Sequence, residues 1–144
     1  MLSLRLQRGF TLTEMMIVIA IIGIISAFAY PSYVEQVRKS KRSDAKIALQ
    51  QIAQRQESHF IKNYTYGASL TALGYAADTI PSPEDNYQIT VSAATATSYT
   101  LQATPTSGSS QAQDSKCANF TLDHMGRRVA KDSSGAVTTD KCWH

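Results

Sequence analysis

Residues 8–33 read RGFTLTEMMIVIAIIGIISAFAYPSY, and the rest of the chain is organised around this stretch. The run from Met15 to Tyr30 contains no charged side chain. Counted from Phe10, it has about the 20 residues that a membrane-spanning helix needs. One carboxylate, Glu14, lies at the head of the run, and a carboxylate inside a bilayer costs about 3 kcal/mol. A charge at that position therefore needs a specific role.

Residues 9–14, Gly-Phe-Thr-Leu-Thr-Glu, together with the apolar run after them, resemble the N-terminus of the type IV pilin family. The resemblance implies that a prepilin peptidase cuts between Gly9 and Phe10 and that Phe10 becomes an N-methylated first residue. It also implies that Glu14 pairs with the amine of Phe10 on a neighbouring subunit during assembly. Thr13 departs from the aliphatic residue that the family usually carries there.

Two other interpretations of the same stretch remain open. Ala27-Phe28-Ala29 is a passable secretory cleavage site after a basic start and an apolar run, but that interpretation leaves Glu14 unexplained. A plain single-span anchor also fits the length. It is compatible with the resemblance, since unassembled pilins are held in the membrane in this way.

Length and charge limit the remainder of the protein. The chain has 144 residues, and without its apolar N-terminus roughly 80–110 residues remain, enough for one small domain. We therefore expect a leader over residues 1–9, a membrane and assembly segment over residues 10–31 and one globular domain over residues 32–144. The formal net charge of +3 indicates no particular partner.

The apolar pattern after Pro31 predicts a long amphipathic helix that ends near Asn63. Its apolar residues recur at spacings of three and four: Val34, Val37, Ala45, Ala48, Leu49, Ile52 and Phe60. The resemblance implies that this helix continues the membrane segment, with Pro31 and Gly23 as points of bending, because proline removes a backbone hydrogen bond. The alternative is a separate helix that starts after Pro31.

The remaining residues predict a small sheet. Asn63 to Asn86 is rich in turn-forming residues and is expected to be an irregular loop, which Tyr64, Tyr66 and Tyr75 pack onto the sheet. The runs 87–91 and 99–103 alternate as the strands of one hairpin, and the runs 118–122 and 127–130 as those of a second. Four antiparallel strands and one long helix make an α+β fold. The resemblance implies that this is the type IV pilin fold.

The two cysteines, Cys117 and Cys142, lie near the C-terminus, and in an exported chain such a pair predicts one disulfide. Two unpaired buried thiols are the alternative. The segment that they enclose, with its Cys142-Trp143 ending, resembles the disulfide-closed C-terminal region of PilE-like minor pilins.

The positive residues near the apolar run predict a C-terminal domain on the cytoplasmic side, the opposite of export, because more of them follow the run than precede it. The residues concerned are Arg5 and Arg8 before it and Arg38, Lys39, Lys41, Arg42 and Lys46 after it. We favour export, since long domains translocate largely regardless of charge.

No pattern in the sequence indicates an active site. His59, His124 and His144 lack ligand spacing with cysteines or acids, so we expect no metal, no cofactor and no enzymatic activity. The C-terminal region is rich in basic residues, which are candidates for DNA contact: Lys116, Arg127, Arg128, Lys131 and Lys141. Acids alternate with them, so a solvated surface of mixed charge is the favoured interpretation: Asp114, Asp123, Asp132 and Asp140.

The resemblance implies a structural subunit of a type IV pilus, most similar to PilE-like minor pilins. Its partners would be other pilin subunits, the prepilin peptidase and the inner membrane, with the C-terminal domain in the periplasm before assembly and in the extracellular fibre afterwards. Such a subunit would support motility, adhesion or DNA uptake. The alternatives are a major pilin, a secretion-system pseudopilin, a pilus-borne DNA-uptake receptor and an anchored enzyme.

Overall fold

The structure, a computed structural model, describes residues 9–143. Helix α1 runs from Leu12 to Asn63 and passes through Pro31, so no separate helix starts there. The chain divides into two compact units after Gln36, inside α1. At the end of α1, the backbone N–H of Tyr64 donates to the carbonyl of Phe60 over 2.8 Å. Tyr64 takes φ of 55°, the left-handed conformation that closes helices.

The second unit contains one antiparallel sheet whose strands follow one another in chain order. Its strands are β1 (Thr79–Pro81), β2 (Tyr87–Ala94), β3 (Tyr99–Pro105), β4 (Asn119–Asp123) and β5 (Arg128–Lys131). The register pairs Ile89 with Ala103 and Leu101 with Leu122. A short helix, α2 (Thr139–Cys142), follows β5.

The sheet has five strands rather than the four predicted. The additional strand, β1, lies within the segment that we expected to be an irregular loop, and it pairs Ile80 with Ile89 of β2. Three residues are too few to show an alternating pattern, and Pro81 is typical of an edge position because proline donates no ladder hydrogen bond. Strands β4 and β5 each begin one residue later than predicted.

A single core joins α1 to the sheet. Ala45, Leu49 and Ile52 of α1 are fully or almost fully buried, at the predicted helical spacing. They belong to the same cluster as the inward-facing residues of the strands, among them Tyr87, Ile89, Leu101 and Phe120. The ring of Phe120 meets the ring of Tyr87 edge to face at 5.7 Å.

Three buried polar side chains of α1 connect this helix to loops. Arg42 donates to both carboxylate oxygens of Asp114, over 2.7 and 3.0 Å. Gln56 exchanges two hydrogen bonds with the backbone of Gly67. Asp44 accepts hydrogen bonds from the turn at residues 82–86. Because buried polar groups must be paired, these contacts determine where the loops lie on the helix.

Candidate functional site

The apolar part of α1 is exposed along its whole length in the first unit. Leu12, Ile19 and Phe28 keep 77%, 67% and 77% of their surface accessible. Within the described residues, α1 is the one helix long and apolar enough to cross a membrane, with a mean hydropathy of 2.3 over a window of which nothing is buried. Large exposed apolar surfaces mark contacts with a membrane or another protein. This surface is therefore the candidate assembly site.

Glu14 takes part in a capping box at the start of α1. Its carboxylate accepts hydrogen bonds from the backbone N–H of Thr11 at 2.7 Å and from the Thr11 hydroxyl at 2.8 Å. The backbone N–H of Glu14 donates back to the Thr11 hydroxyl oxygen at 3.2 Å. These bonds occupy donors that a helix N-terminus otherwise leaves free. Sequence reasoning missed this role, although the Thr-x-x-Glu signature of a capping box is present.

The other predicted N-terminal features lie partly within the described residues. Gly9 and Phe10, between which cleavage is expected, are both exposed and precede α1. The rest of the leader, with Arg5 and Arg8, lies outside the described residues. Gly23 and Pro31 both lie within α1. Bending at these two positions stays a prediction.

The predicted disulfide between Cys117 and Cys142 is present, with the two Cα atoms 5.8 Å apart. Both cysteines are fully buried in the core. Trp143 follows at once, and its ring meets Phe120 edge to face at 5.8 Å. The disulfide therefore attaches the C-terminal end of the described chain to the same core that α1 and the sheet share.

The five predicted basic residues have different surroundings. Arg127 is exposed and pairs with Asp123, with 2.6 Å between Nε and Oδ2. Arg128 places its guanidinium carbon 5.4 Å from the centre of the Trp143 ring, a cation–π contact. Lys116, Lys131 and Lys141 are exposed.

Two lysines of α1 add to this charge, and sequence reasoning missed them as site residues. Burial lowers the pKa of Lys46, and the positive charges of Arg42, Lys39 and Arg128 lower it further. The charges of Arg128 in β5 and Lys39 in α1 therefore lie near enough to Lys46 to affect it. We call Lys39, Lys46 and Arg128 the basic surface. The cluster of positive residues in α1 is the sequence feature that could have indicated Lys39 and Lys46.

The acids that alternate with the basic residues are largely occupied by local contacts. Asp114 binds Arg42 inside the core. Burial acts to raise the pKa of Asp123, but hydrogen bonds from Arg127 and Met125 outweigh it and lower that pKa. The carboxylate of Asp132 accepts hydrogen bonds from its own turn, at residues 134 and 136. Asp114 and Asp123 therefore pair with arginines that are not part of the basic surface.

Two of the three loop tyrosines pack as predicted. Tyr66 stacks on Phe60 at 4.6 Å and meets Tyr99 edge to face, and Tyr75 is half-buried against the core. Tyr64 differs, since 84% of its surface is exposed. The Glu57 carboxylate accepts hydrogen bonds from the hydroxyls of Tyr66 and Tyr99.

The histidines do not form a metal site in the part of the chain described. His59 lies near Thr65, His124 lies beside the Tyr66 and Tyr99 rings, and His144 is outside the described residues. Over residues 9–143, no three His, Cys, Asp or Glu side chains come together as metal ligands.

Comparison with known proteins agrees with this architecture. Residues 31–121 match the family model described as "Type IV minor pilin ComP, DNA uptake sequence receptor". Residues 4–30 match the prokaryotic N-terminal methylation motif. The chain belongs to the type IV pilin family. It is a structural subunit of a type IV pilus, whose partners are other pilin subunits, and its motif and apolar helix indicate membrane anchoring before it enters the pilus.

Two sequence relatives and one solved structure match different shares of the chain. Fimbrial protein Q of Moraxella bovis is 33% identical over 135 residues, which are 92% of this chain and 78% of that protein. Type IV major pilin protein PilA of Myxococcus xanthus (strain DK1622) is 40% identical over 88 residues, 61% of this chain but 38% of that protein's length. The solved non-core minor pilin PilV of Neisseria meningitidis shares the fold, with a TM-score of 0.52 at 20% identity, over 70% of this chain and 93% of that chain.

Proposed function

We propose that this chain is a minor pilin stored in the inner membrane through residues 10–31, with residues 32–144 in the periplasm. A prepilin peptidase then cuts between Gly9 and Phe10, and Phe10 is N-methylated. The observation that carries the proposal is the exposed apolar surface of α1 in the first unit, because the described chain buries none of it and apolar surface of this extent is unfavourable in water. Lipid covers it before assembly, and other pilin helices cover it in the fibre.

The capping box gives Glu14 a role in the stored subunit. A carboxylate at membrane depth needs hydrogen-bond partners, and Thr11 supplies two donors from the same chain. In the fibre, the amine of Phe10 on a neighbouring subunit offers a full positive charge. That contact would join two opposite charges, whereas Thr11 offers the carboxylate uncharged donors. Assembly thus adds an ionic partner to a carboxylate that is already in position.

Replacing Glu14 tests this role. Glu14→Gln retains a side chain of the same shape and one acceptor oxygen for Thr11, but it removes the charge that would attract the amine. We expect normal membrane insertion and a large loss of incorporation into fibres, measured by immunoblot of membrane and sheared-fibre fractions. Thr13→Val is the matched control, because it changes the neighbouring residue and leaves the Glu14 carboxylate in place. Equal incorporation of Glu14→Gln and the parent would contradict the pairing.

A second candidate function is DNA binding during uptake. Two observations favour it. Residues 31–121 match a family model described as a DNA uptake sequence receptor, and Lys46, whose pKa burial lowers, lies near enough to the other positive charges of the basic surface for them to lower that pKa further. Lysine and arginine contacts to phosphates supply affinity that falls with salt. Asp114 and Asp123 pair with Arg42 and Arg127, which are not part of the basic surface.

Neighbouring arginines allow a matched test of this candidate. In full-length protein in detergent micelles, Arg128→Gln should weaken binding of a labelled DNA duplex several-fold and reduce the slope of log affinity against log salt by about 1. Arg127→Gln should change both much less, because Arg127 already pairs with Asp123. Fluorescence anisotropy across a salt series measures both quantities. No duplex binding at low salt, or equal losses of DNA affinity for the two variants, would contradict the DNA-binding function.

The copy number of the subunit in purified fibres separates a minor from a major pilin.

A further inference from the structure

A polar groove runs beside the C-terminal half of α1, in the second unit. Its volume is about 550 Å³, within the usual range for small-molecule sites. One wall is a stripe of α1, and the other consists of Leu73 and Tyr75 from the loop before β1. The residues of the α1 wall are Gln51, Gln54, Arg55, Ser58, His59, Lys62 and Asn63.

The charge of the groove has one sign. Arg55 and Lys62 supply two positive charges, and none of the residues that line the groove is a carboxylate. The guanidinium carbon of Arg55 lies 5.1 Å from the centre of the Tyr75 ring. This cation–π contact limits the freedom of the guanidinium, so less entropy is lost when a ligand binds. The groove is therefore prepared for an anionic group near Arg55.

The uncharged side chains of the groove offer both donors and acceptors. Gln51 and Gln54 carry amides, each with one acceptor oxygen and two N–H donors. Nδ1 of His59 lies 2.9 Å from the carbonyl oxygen of Thr65. A carbonyl can only accept, so Nδ1 carries the proton in this contact and Nε2 is the ring nitrogen left to a ligand. Such mixed groups match a ligand with several hydroxyls.

Hydrogen bonds from α1 hold the loop wall of the groove in place. Gln56 donates to the carbonyl of Gly67 at 2.9 Å and accepts from its N–H at 2.8 Å, both buried. A Cβ at Gly67 would lie 2.6 Å from Cδ2 of Leu73, so the loop packs closely at this glycine. The loop that carries Leu73 and Tyr75 is thus attached to α1, and the groove is formed before a ligand arrives.

We propose that this groove binds a carboxylated sugar, such as a hexuronic acid residue of a surface glycan. The carboxylate would bind Arg55 and Lys62, the hydroxyls would bind the amides and His59, and an apolar ring face would lie against Leu73 or Tyr75. A DNA duplex presents its phosphates on the outside of a wide rod, so it suits an exposed surface better than a groove of this volume. The groove shares no residue with the basic surface or with the apolar surface of the first unit, so variants in the groove leave the residues of those two sites unchanged.

The test uses isotopically labelled full-length protein in detergent micelles, titrated with glucuronate and followed by NMR. Saturable shifts confined to groove residues are expected with glucuronate. The affinity for glucose should be about tenfold lower than that for glucuronate, because glucose lacks the carboxylate. Arg55→Gln should lose about tenfold in glucuronate affinity, whereas Arg127→Gln should leave it unchanged. Arg55 is exposed, so its replacement should leave the fold intact, which the unshifted remainder of the spectrum verifies.

Four outcomes would overturn the proposal. They are no saturable shift with glucuronate, equal affinity for glucose, equal affinity for inorganic phosphate, and tighter binding of a short DNA duplex at the same residues. The phosphate result would show a site for any small anion, and the duplex result a nucleic-acid site. Failure here would leave the Arg128→Gln and Glu14→Gln tests unaffected, since those residues lie elsewhere.

Discussion

Asp44 is the residue whose replacement should most clearly show how α1 positions a loop. Its carboxylate is buried, with 4% of the residue exposed. It accepts hydrogen bonds from the Ser82 hydroxyl, the Glu84 backbone N–H at 3.1 Å and both the backbone and side-chain N–H groups of Asn86 at 3.3 and 3.2 Å. One acid therefore holds the turn that leads into β2.

The cost of Asp44→Ala can be worked out from these contacts. Ser82 and Asn86 are themselves buried, so three donors lose this acceptor where water does not easily replace it, although the Asn86 side-chain amide keeps a second acceptor on Glu84. Each such loss costs about 1–3 kcal/mol. Removing the carboxylate also removes the cost of burying a charge, which offsets part of the loss. We expect a net decrease of about 2–4 kcal/mol in the free energy of unfolding.

The single tryptophan makes this measurable. Trp143 is buried against Phe120, so its fluorescence reports unfolding of the second unit. In urea titrations of the full chain in detergent, a loss of this size should lower the midpoint by about 1–2 M. Asp44→Asn should fall between the parent and Asp44→Ala, because it retains one acceptor oxygen. Ser43→Ala, an exposed neighbour on α1, should change little. An unchanged midpoint for Asp44→Ala would refute the reasoning.

Three other results are expected. Cys142→Ser should lower the free energy of unfolding by about 2–4 kcal/mol, measured in the same titration, and an equal midpoint would show that other contacts hold the C-terminal region. N-terminal sequencing of the mature protein should begin at Phe10, whereas a start at Tyr30 would establish the secretory-signal interpretation. Burial raises the pKa of Tyr87 from 10.0 to about 12. Because the folded state binds this proton more tightly, stability should fall as pH rises from about 10 toward 12, and tyrosinate absorbance that titrates fully near pH 10 in the folded protein would contradict this.

The candidate sites were only partly visible in the sequence. The apolar run and the order of residues 9–14 are local, so they can be read without a structure. The basic surface is different, because Arg128 lies far from Lys46 in sequence and only the folded chain brings their charges together. The groove likewise needs Arg55 and Tyr75 side by side, which no sequence spacing predicts.

The sequence by itself determined the class of protein, the helical period of α1 and the two hairpins, since each follows from a pattern within a few neighbouring residues. The tertiary structure decided which polar residues enter the core, because Arg42, Asp44 and Gln56 lie on an otherwise regular helix and are paired by groups of loops outside it. It also decided the fifth strand, whose three residues become β1 only by hydrogen bonding to β2. Local patterns report on neighbours along the chain, whereas burial and pairing depend on groups that meet only on folding.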